Sequence, residues 1–452
     1  MRAVSLREGY PSPRTRNLVA EFCTRIVRRA RPLALLLIVA CFGTDPGPQQ
    51  AGGCQDDACS DVPVMVTGGK TFTKLAAGRF HTCGLLANGE VWCWGLNSDG
   101  QLGASTPAAG IEASAVPVKV GGSMTFKDIS GGDLHTCGIG TDDGVWCWGS
   151  NESLVLGVAN VGETCGSGEN AVPCSRTPVR AAGTTTFIQV AAGGSHTCAI
   201  DMSNTGRCWG VNAQGELGTA GYGQVRSDPT TVGGDVLLTR ISSGQRFSCG
   251  LDDLGAAFCW GLANSGQLGT TSFQTCTAGG QTFQCSPNAI AANTAVRFTS
   301  IELGGAFACG LSTTGALACW GNNANGQLGN GTFTNNATVL AVQGTGTWQS
   351  FGVGEGHACG IKSGTAYCWG LNSTAQLGTG SKEYAASVPM PVSGTRTYTQ
   401  IVAGADHTCA LHSTGEHLSD DRQSSRGEHR AADSLQEAGA DQRFDVGSHA
   451  AE

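Results

Sequence analysis

Short apolar runs separated by Gly-containing turns recur along most of the chain, and they recur as one ordered string. The string reads aromatic-x-x-apolar-x-x-Gly-x-x-His-Thr-Cys-Gly-Leu, then a turn, then apolar-x-Cys-Trp-Gly, then Asn-x-x-Gly-Gln-Leu-Gly. Its first Cys falls at Cys83, Cys137, Cys198, Cys249, Cys309, Cys359 and Cys409, at intervals of 54, 61, 51, 60, 50 and 50 residues. Its second Cys falls at Cys93, Cys147, Cys208, Cys259, Cys319 and Cys368, each followed by Trp-Gly. A fixed period of this size marks a repeat architecture, in which each unit buries its apolar faces against its neighbours. The brevity of the runs predicts strands joined by tight turns.

Each unit contains a legible hairpin. Cys83 and Cys93 oppose one another if the strands are joined by the three-residue loop Ala87-Asn88-Gly89, with Gly89 at the left-handed position. Gly255 and Gly315 stand at the same offset in their units. In the sixth unit Cys359 and Cys368 are one residue closer, and the loop shortens to Ser363-Gly364, which keeps the pair in register. Directly opposed residues share a sheet face at a distance suited to a disulfide. Six bridges are therefore expected: Cys83–Cys93, Cys137–Cys147, Cys198–Cys208, Cys249–Cys259, Cys309–Cys319 and Cys359–Cys368. Each closes a loop worth about 3 kcal/mol in the chain-entropy model. On the other face, the residue after the first Cys is always Gly or Ala. Across from it stand Trp92, Trp146, Arg207, Phe258, Ala318 and Tyr367, read as rings packing over a missing side chain.

The endings Gly100 to Gly103, Gly266 to Gly269 and Gly326 to Gly329, with the Trp-Gly pairs, resemble the RCC1 repeat. The resemblance spans residues 61–415 and implies an all-β, seven-bladed RCC1-like β-propeller. The last blade reads as incomplete: after Gly415 no Cys-Trp-Gly strand follows, and residues 416–452 are polar without strand periodicity, as in a disordered or frameshifted tail. Cys409 is expected to lack a partner. Asp61 to Val66 resembles Ala115 to Val120 and Ser387 to Val392 and is expected to pair with the seventh blade, without replacing its missing strand.

Two insertions account for the long intervals. Cys165 and Cys174, and likewise Cys276 and Cys285, lie nine residues apart ahead of the next unit, and read as disulfide-pinned loops on one face. Cys54 and Cys59 could form a further clip within the linker 42–60. Ahead of it, Arg25, Arg28, Arg29 and Arg31 precede the apolar run Leu33 to Ala40, too short to span a bilayer but suited to a signal peptide over residues 1–41. Ile38-Val39-Ala40-Cys41 resembles the lipobox of bacterial lipoproteins, with Cys41 as the site of lipid attachment.

Composition supports this picture. Gly, at 69 copies, is about double its usual share. Twenty-one Cys with no C-x-x-C pair point to disulfides in an oxidising compartment rather than to zinc. The formal net charge is −8 although residues 1–40 hold eight Arg against two Glu, so the body is acidic. An acidic body argues against nucleic acid as a partner. His81, His135, His196, His357 and His407 share one repeat position, but Phe247 and Phe307 occupy it in two units, which marks a packing slot and no metal site. No nucleophile elbow, zinc-protease helix or phosphate loop is present, so no catalytic residue and no cofactor is expected. The expected role is an exported binding or scaffolding protein, on a bacterial envelope or outside the cell, with a protein as partner and the membrane reached only through a lipid anchor. A carbohydrate-active or other enzyme with its site at one propeller mouth is the alternative. The third possibility, guanine-nucleotide exchange, is implied by the resemblance alone.

Overall fold

The structure, a computed structural model, describes residues 60–66, 68–104, 113–166, 171–181 and 183–412, and the backbone of 39–42. Every element among the described residues is a strand, and the strands form seven antiparallel sheets. In the first sheet Phe72–Ala77, His81–Leu86, Val91–Leu96 and Ala113–Lys119 lie side by side in chain order. The opening strands of successive sheets touch in turn, and Tyr398–Ala403, the last, returns to Phe72–Ala77. They surround one axis, and each sheet runs outward from it as a blade of a β-propeller. Six blades are each built from one continuous stretch of chain.

The hairpin at the centre of each blade follows the cysteine spacing. Cys83 pairs with Cys93 across the strands, and Cys359 with Cys368, where Ser363 and Gly364 supply the two positive-φ residues of the shortened turn. The six blade disulfides hold Cα atoms 4.0 to 4.1 Å apart, and all their sulfurs are buried.

One packing expectation is corrected. The ring lying over Gly84 is Phe72 of the same blade's opening strand, where a Cβ would come within 2.3 Å of the ring. Phe126 covers Gly138 and Phe298 covers Gly310 in the same way. These rings pack on the buried Trp of the Cys-Trp-Gly strand, with Phe72 to Trp94 centroids 5.6 Å apart. Trp92 and Trp146 are half-buried, their indole N–H groups turned to Glu90 and Asp142. The gap left by Gly is thus filled by a ring from the opening strand and not by the directly opposed residue of the third strand.

Neighbouring blades are clasped by two repeat positions. The buried Trp148 donates its indole N–H to the carbonyl of Gln101, in the Gly-Gln-Leu-Gly turn of the preceding blade, at 3.0 Å. Trp209, Trp260, Trp320 and Trp369 reach the equivalent carbonyls of Val155, Glu216, Gln267 and Gln327. The second clasp is the imidazole. His81 bonds Thr136 of the next blade, His135 bonds Thr197, His196 bonds Ser248, His357 bonds Thr408, and His407 closes the circle onto Thr82. At the two remaining seams, Phe247 meets Ala308 and Phe307 meets Ala358 in apolar clusters. A hydroxyl therefore faces a His, and a methyl faces a Phe, across each seam.

The seventh sheet draws its strands from both ends of the propeller. Its order is Val64–Met65, Val39–Phe42, Thr408–His412, Tyr398–Ala403. Val39–Phe42, read as the end of a leader, occupies the third-strand position expected after Gly415, and Val64–Met65 forms the outer strand beyond it. The expectation that Cys409 lacks a partner is also overturned, because Cys409 is disulfide-bonded. A closed ring brings the first and last units side by side, so one blade can draw strands from both ends. The tail at 416–452, the Cys54 and Cys59 clip and the side chain of Cys41 lie outside the described residues.

Candidate functional site

In an antiparallel blade, the turn from first to second strand and the connection from third to fourth emerge at the same end. One face of the ring therefore carries both the axial mouth and the two insertions.

The mouth is formed by the seven turns that follow the opening strands. Their backbone groups bond around the axis: Arg79 N–H to Gly132, Asp133 to Gly193, Gly194 to Gly244, Gly305 to Glu355, Glu355 to Gly404, and Ala405 back to Arg79. Close approach demands Gly in the turns. A Cβ on Gly78 would lie 2.1 Å from Cε1 of His81 and 2.6 Å from the carbonyl of Gly132. Over this ring, Arg79 of the first blade reaches Asp133 of the second and Glu355 of the sixth, each at 3.0 Å. Burial pushes the Glu355 carboxyl up, with Arg79 pulling it back down. The cavity here, lined by Arg79, Asp133, Gln245 and Glu355 among others, measures about 80 Å³. That volume holds a few waters, whose share of the liquid is about 30 Å³ each. Carboxylates thus do gather at the mouth, as an enzyme would require, and Asp133 and Glu355 are both engaged by the half-buried guanidinium of Arg79.

The insertions are extra strands at the perimeter of the second and fourth blades, not free loops. Thr164–Cys165 pairs with Val172–Arg180. Gln274–Ala278 pairs with Gln281–Ala291 through Gly279 and Gly280, both at positive φ, as a two-residue hairpin turn demands. The staples Cys165–Cys174 and Cys276–Cys285 are fully buried beneath these hairpins. Blade three lies between the two. The fourth-blade hairpin exposes Gln274, Thr275, Thr277, Gln281, Thr282 and Gln284, and no charged residue occurs from 270 to 292. Its Gln274–Ala278 strand is also the outermost of its sheet. The outer strands of blades one, three and six carry Pro117, Pro229 and Pro389, a residue that cannot donate to an added strand. Gln274–Ala278 carries neither Pro nor charge.

The shared His position is buried structure. Thr136, Thr197 and Thr408 each donate their hydroxyl proton to a carbonyl, as Thr136 does to Gln101 at 3.0 Å, so His81, His135 and His357 carry a proton on Nε2 and donate it. Nδ1 of His81, His196 and His357 then lacks a hydrogen-bond partner. Burial holds His81, His135, His196 and His357 near a pKa of about 3 and His407 near about 4. No group of three or more potential metal ligands exists among the described residues.

Blades stapled internally, clasped at their seams and closed on an ion-paired axis define a rigid propeller of the RCC1 type. A family model described as the RCC1-like domain matches residues 38–410, and the chain belongs to this family. It is similar to the Arabidopsis thaliana ultraviolet-B receptor UVR8, 26% identical over 62% of this chain and 59% of that protein. It also resembles the Xenopus laevis regulator of chromosome condensation, 26% identical over 47% and 51%, and the human probable E3 ubiquitin-protein ligase HERC6, 32% identical over 43% and 19%. The chain thus spans at most about three fifths of these curated relatives. Among solved structures, human WBSCR16 superposes with a TM-score of 0.70 at 20% identity, covering 83% of this chain and all of that one. Saccharomyces cerevisiae Prp20p, whose structure was described with its binding to Gsp1p and histones, gives 0.67 at 20%, covering 88% and 96%. These likenesses establish the fold.

Proposed function

We propose that this protein is an exported scaffold that binds another protein through the face carrying the axial mouth and the two stapled hairpins. The observation that carries the reading is the fourth-blade hairpin: exposed, free of charge, rich in Gln and Thr, and pinned by a buried disulfide. Charged groups are depleted at the centres of protein interfaces because they are costly to strip of water, while Gln and Thr retain hydrogen-bonding capacity. A pinned hairpin loses little conformational freedom on docking. Its open edge suits strand addition by an extended segment of the partner. Relatives support a protein partner, since RCC1-like propellers engage proteins, as Prp20p does with Gsp1p and histones. Eight stapled pairs among the described residues support export, because such bridges persist in oxidising compartments.

The test compares the immobilised full chain with a variant in which 274–284 is replaced by a short Gly-Ser turn, both presented with envelope and secreted proteins. Proteins retained by the first, lost on the second and confirmed by direct titration support the reading. Retention that is indifferent to the hairpin, or binding confined to a glycan array, overturns it.

A further inference from the structure

We infer that Cys41 is the disulfide partner of Cys409, so that the propeller ring is closed covalently between its two ends and Cys41 does not carry lipid. The argument begins with register. In the first blade Val91 faces Leu85, Trp92 faces Gly84, Cys93 faces Cys83 and Trp94 faces Thr82. In the seventh, Val39 faces Leu411, Ala40 faces Ala410, Cys41 faces Cys409 and Phe42 faces Thr408. The two sets match position for position. The local sequence matches as well: Val39-Ala40-Cys41-Phe42-Gly43 repeats the apolar-x-Cys-aromatic-Gly pattern of the third strands, with Phe where the others have Trp.

Cysteine accounting narrows the partner. Cys409 is disulfide-bonded, and the eight other bridges use sixteen cysteines among themselves. Only Cys23, Cys41, Cys54 and Cys59 remain. Of these, Cys41 is the one whose backbone stands opposite Cys409, in the arrangement that brings Cα atoms to 4.0–4.1 Å in the six other blades. The RCC1-like match begins at residue 38 and so takes this strand into the domain.

Closure and anchoring exclude each other. A thioether at Cys41 uses the sulfur that the disulfide needs, and cleavage before Cys41 would remove Val39 and Ala40 from the sheet. Formation of the bridge oxidises two thiols: the S–S bond forms, and two electrons and two protons pass to an external disulfide oxidant, which leaves as two thiols.

The experiment is peptide mapping of the full chain, expressed with export and digested without reduction by proteases cutting before Asp45 and after Arg29, which separates Cys41 from both Cys54 and Cys23. A cross-linked peptide pair containing Cys41 and Cys409 is expected. A Cys41 peptide bearing diacylglycerol, a mature chain starting beyond residue 39, or a Cys409 peptide linked elsewhere overturns the inference. The blade staples serve as internal control, since free thiols at Cys83 and Cys93 as well would instead indict the oxidising compartment. Cys41→Ser and Cys409→Ser add a second measure. As partners, each lowers the melting temperature by the same amount and the double variant by no more. Additive losses count against the pairing.

Discussion

His81 Nε2 lies 2.7 Å from Oγ1 of Thr136, across the seam between the first and second blades. The same bond recurs wherever a His occupies this position, and where Phe replaces it the opposing residue becomes Ala. The identity of residue 136 thus answers to residue 81, in another blade, and not to its own neighbour His135. Ser248 follows Phe247 because it receives His196, and Ala358 follows His357 because it receives Phe307.

This pairing predicts non-additive mutations. Thr197→Ala strands the buried Nε2–H of His135 and should cost about 1–3 kcal/mol. Adding His135→Phe, to recreate the Phe–Ala seam, should recover most of that loss. Chemical denaturation of the single and double variants measures it, and equal losses in both would show that the seams tolerate any apolar filling.

The buried imidazoles also set an acid limit. Their native pKa values of about 3 to 4 lie below the ordinary 6.5, with desolvation as the main cause. Below pH 6.5 the unfolded chain binds protons that the native ring refuses. Their contribution is therefore complete above pH 6.5 and is lost as pH falls toward the native values, at about 1.4 kcal/mol per pH unit for each His. Denaturation midpoints between pH 7 and 4 should fall, and more gently in His135→Phe/Thr197→Ala. An unchanged slope in that variant would remove the imidazoles as the cause.

Glu216 has the opposite sign. It stands where four other blades carry Gln101, Gln267, Gln327 and Gln376, is buried, and has its carboxyl pushed by desolvation to about 7. The native state keeps a proton that the unfolded chain releases above about pH 4.5, so this contribution is lost as pH rises through 7. Glu216→Gln retains the acceptor used by the Gln214 N–H without the charge. It should stabilise the protein by about 1–3 kcal/mol at pH 8 and change little at pH 5. Thermal melts at the two pH values compare them directly.

The two kinds of staple should separate on mutation. Cys309→Ser/Cys319→Ser removes a bridge inside a blade and should lower stability by roughly 2–4 kcal/mol. Cys276→Ser/Cys285→Ser frees the outer part of a perimeter hairpin, away from the axis, and should leave the melting temperature within a few degrees while speeding proteolysis near Gly279. Limited proteolysis with mass spectrometry reads the difference.

Much of this was visible in the chain. The Cys83 and Cys93 spacing, with its compensated change at Cys359 and Cys368, carried the hairpin register, because strand geometry is local and period two leaves no freedom once a turn is chosen. The pinned insertions were visible for the same reason, though their pairing into extra strands was not. The third strand of the last blade was missed, although Val39-Ala40-Cys41-Phe42-Gly43 carries the motif. That string also fits the end of an export signal, and an apolar run before a Cys has no local feature that separates the two. The clasping partners were missed because His81 and Thr136 lie 55 residues apart.

By itself, then, the sequence determined the repeat, the strands, the hairpin turns and which cysteines meet within a blade, all interactions between residues a few positions apart. Tertiary structure decided what meets across a seam, which residues converge on the axis, and which strand completes the final blade. Those depend on closing a ring, and closure makes neighbours of residues whose separation along the chain says nothing about their distance in space.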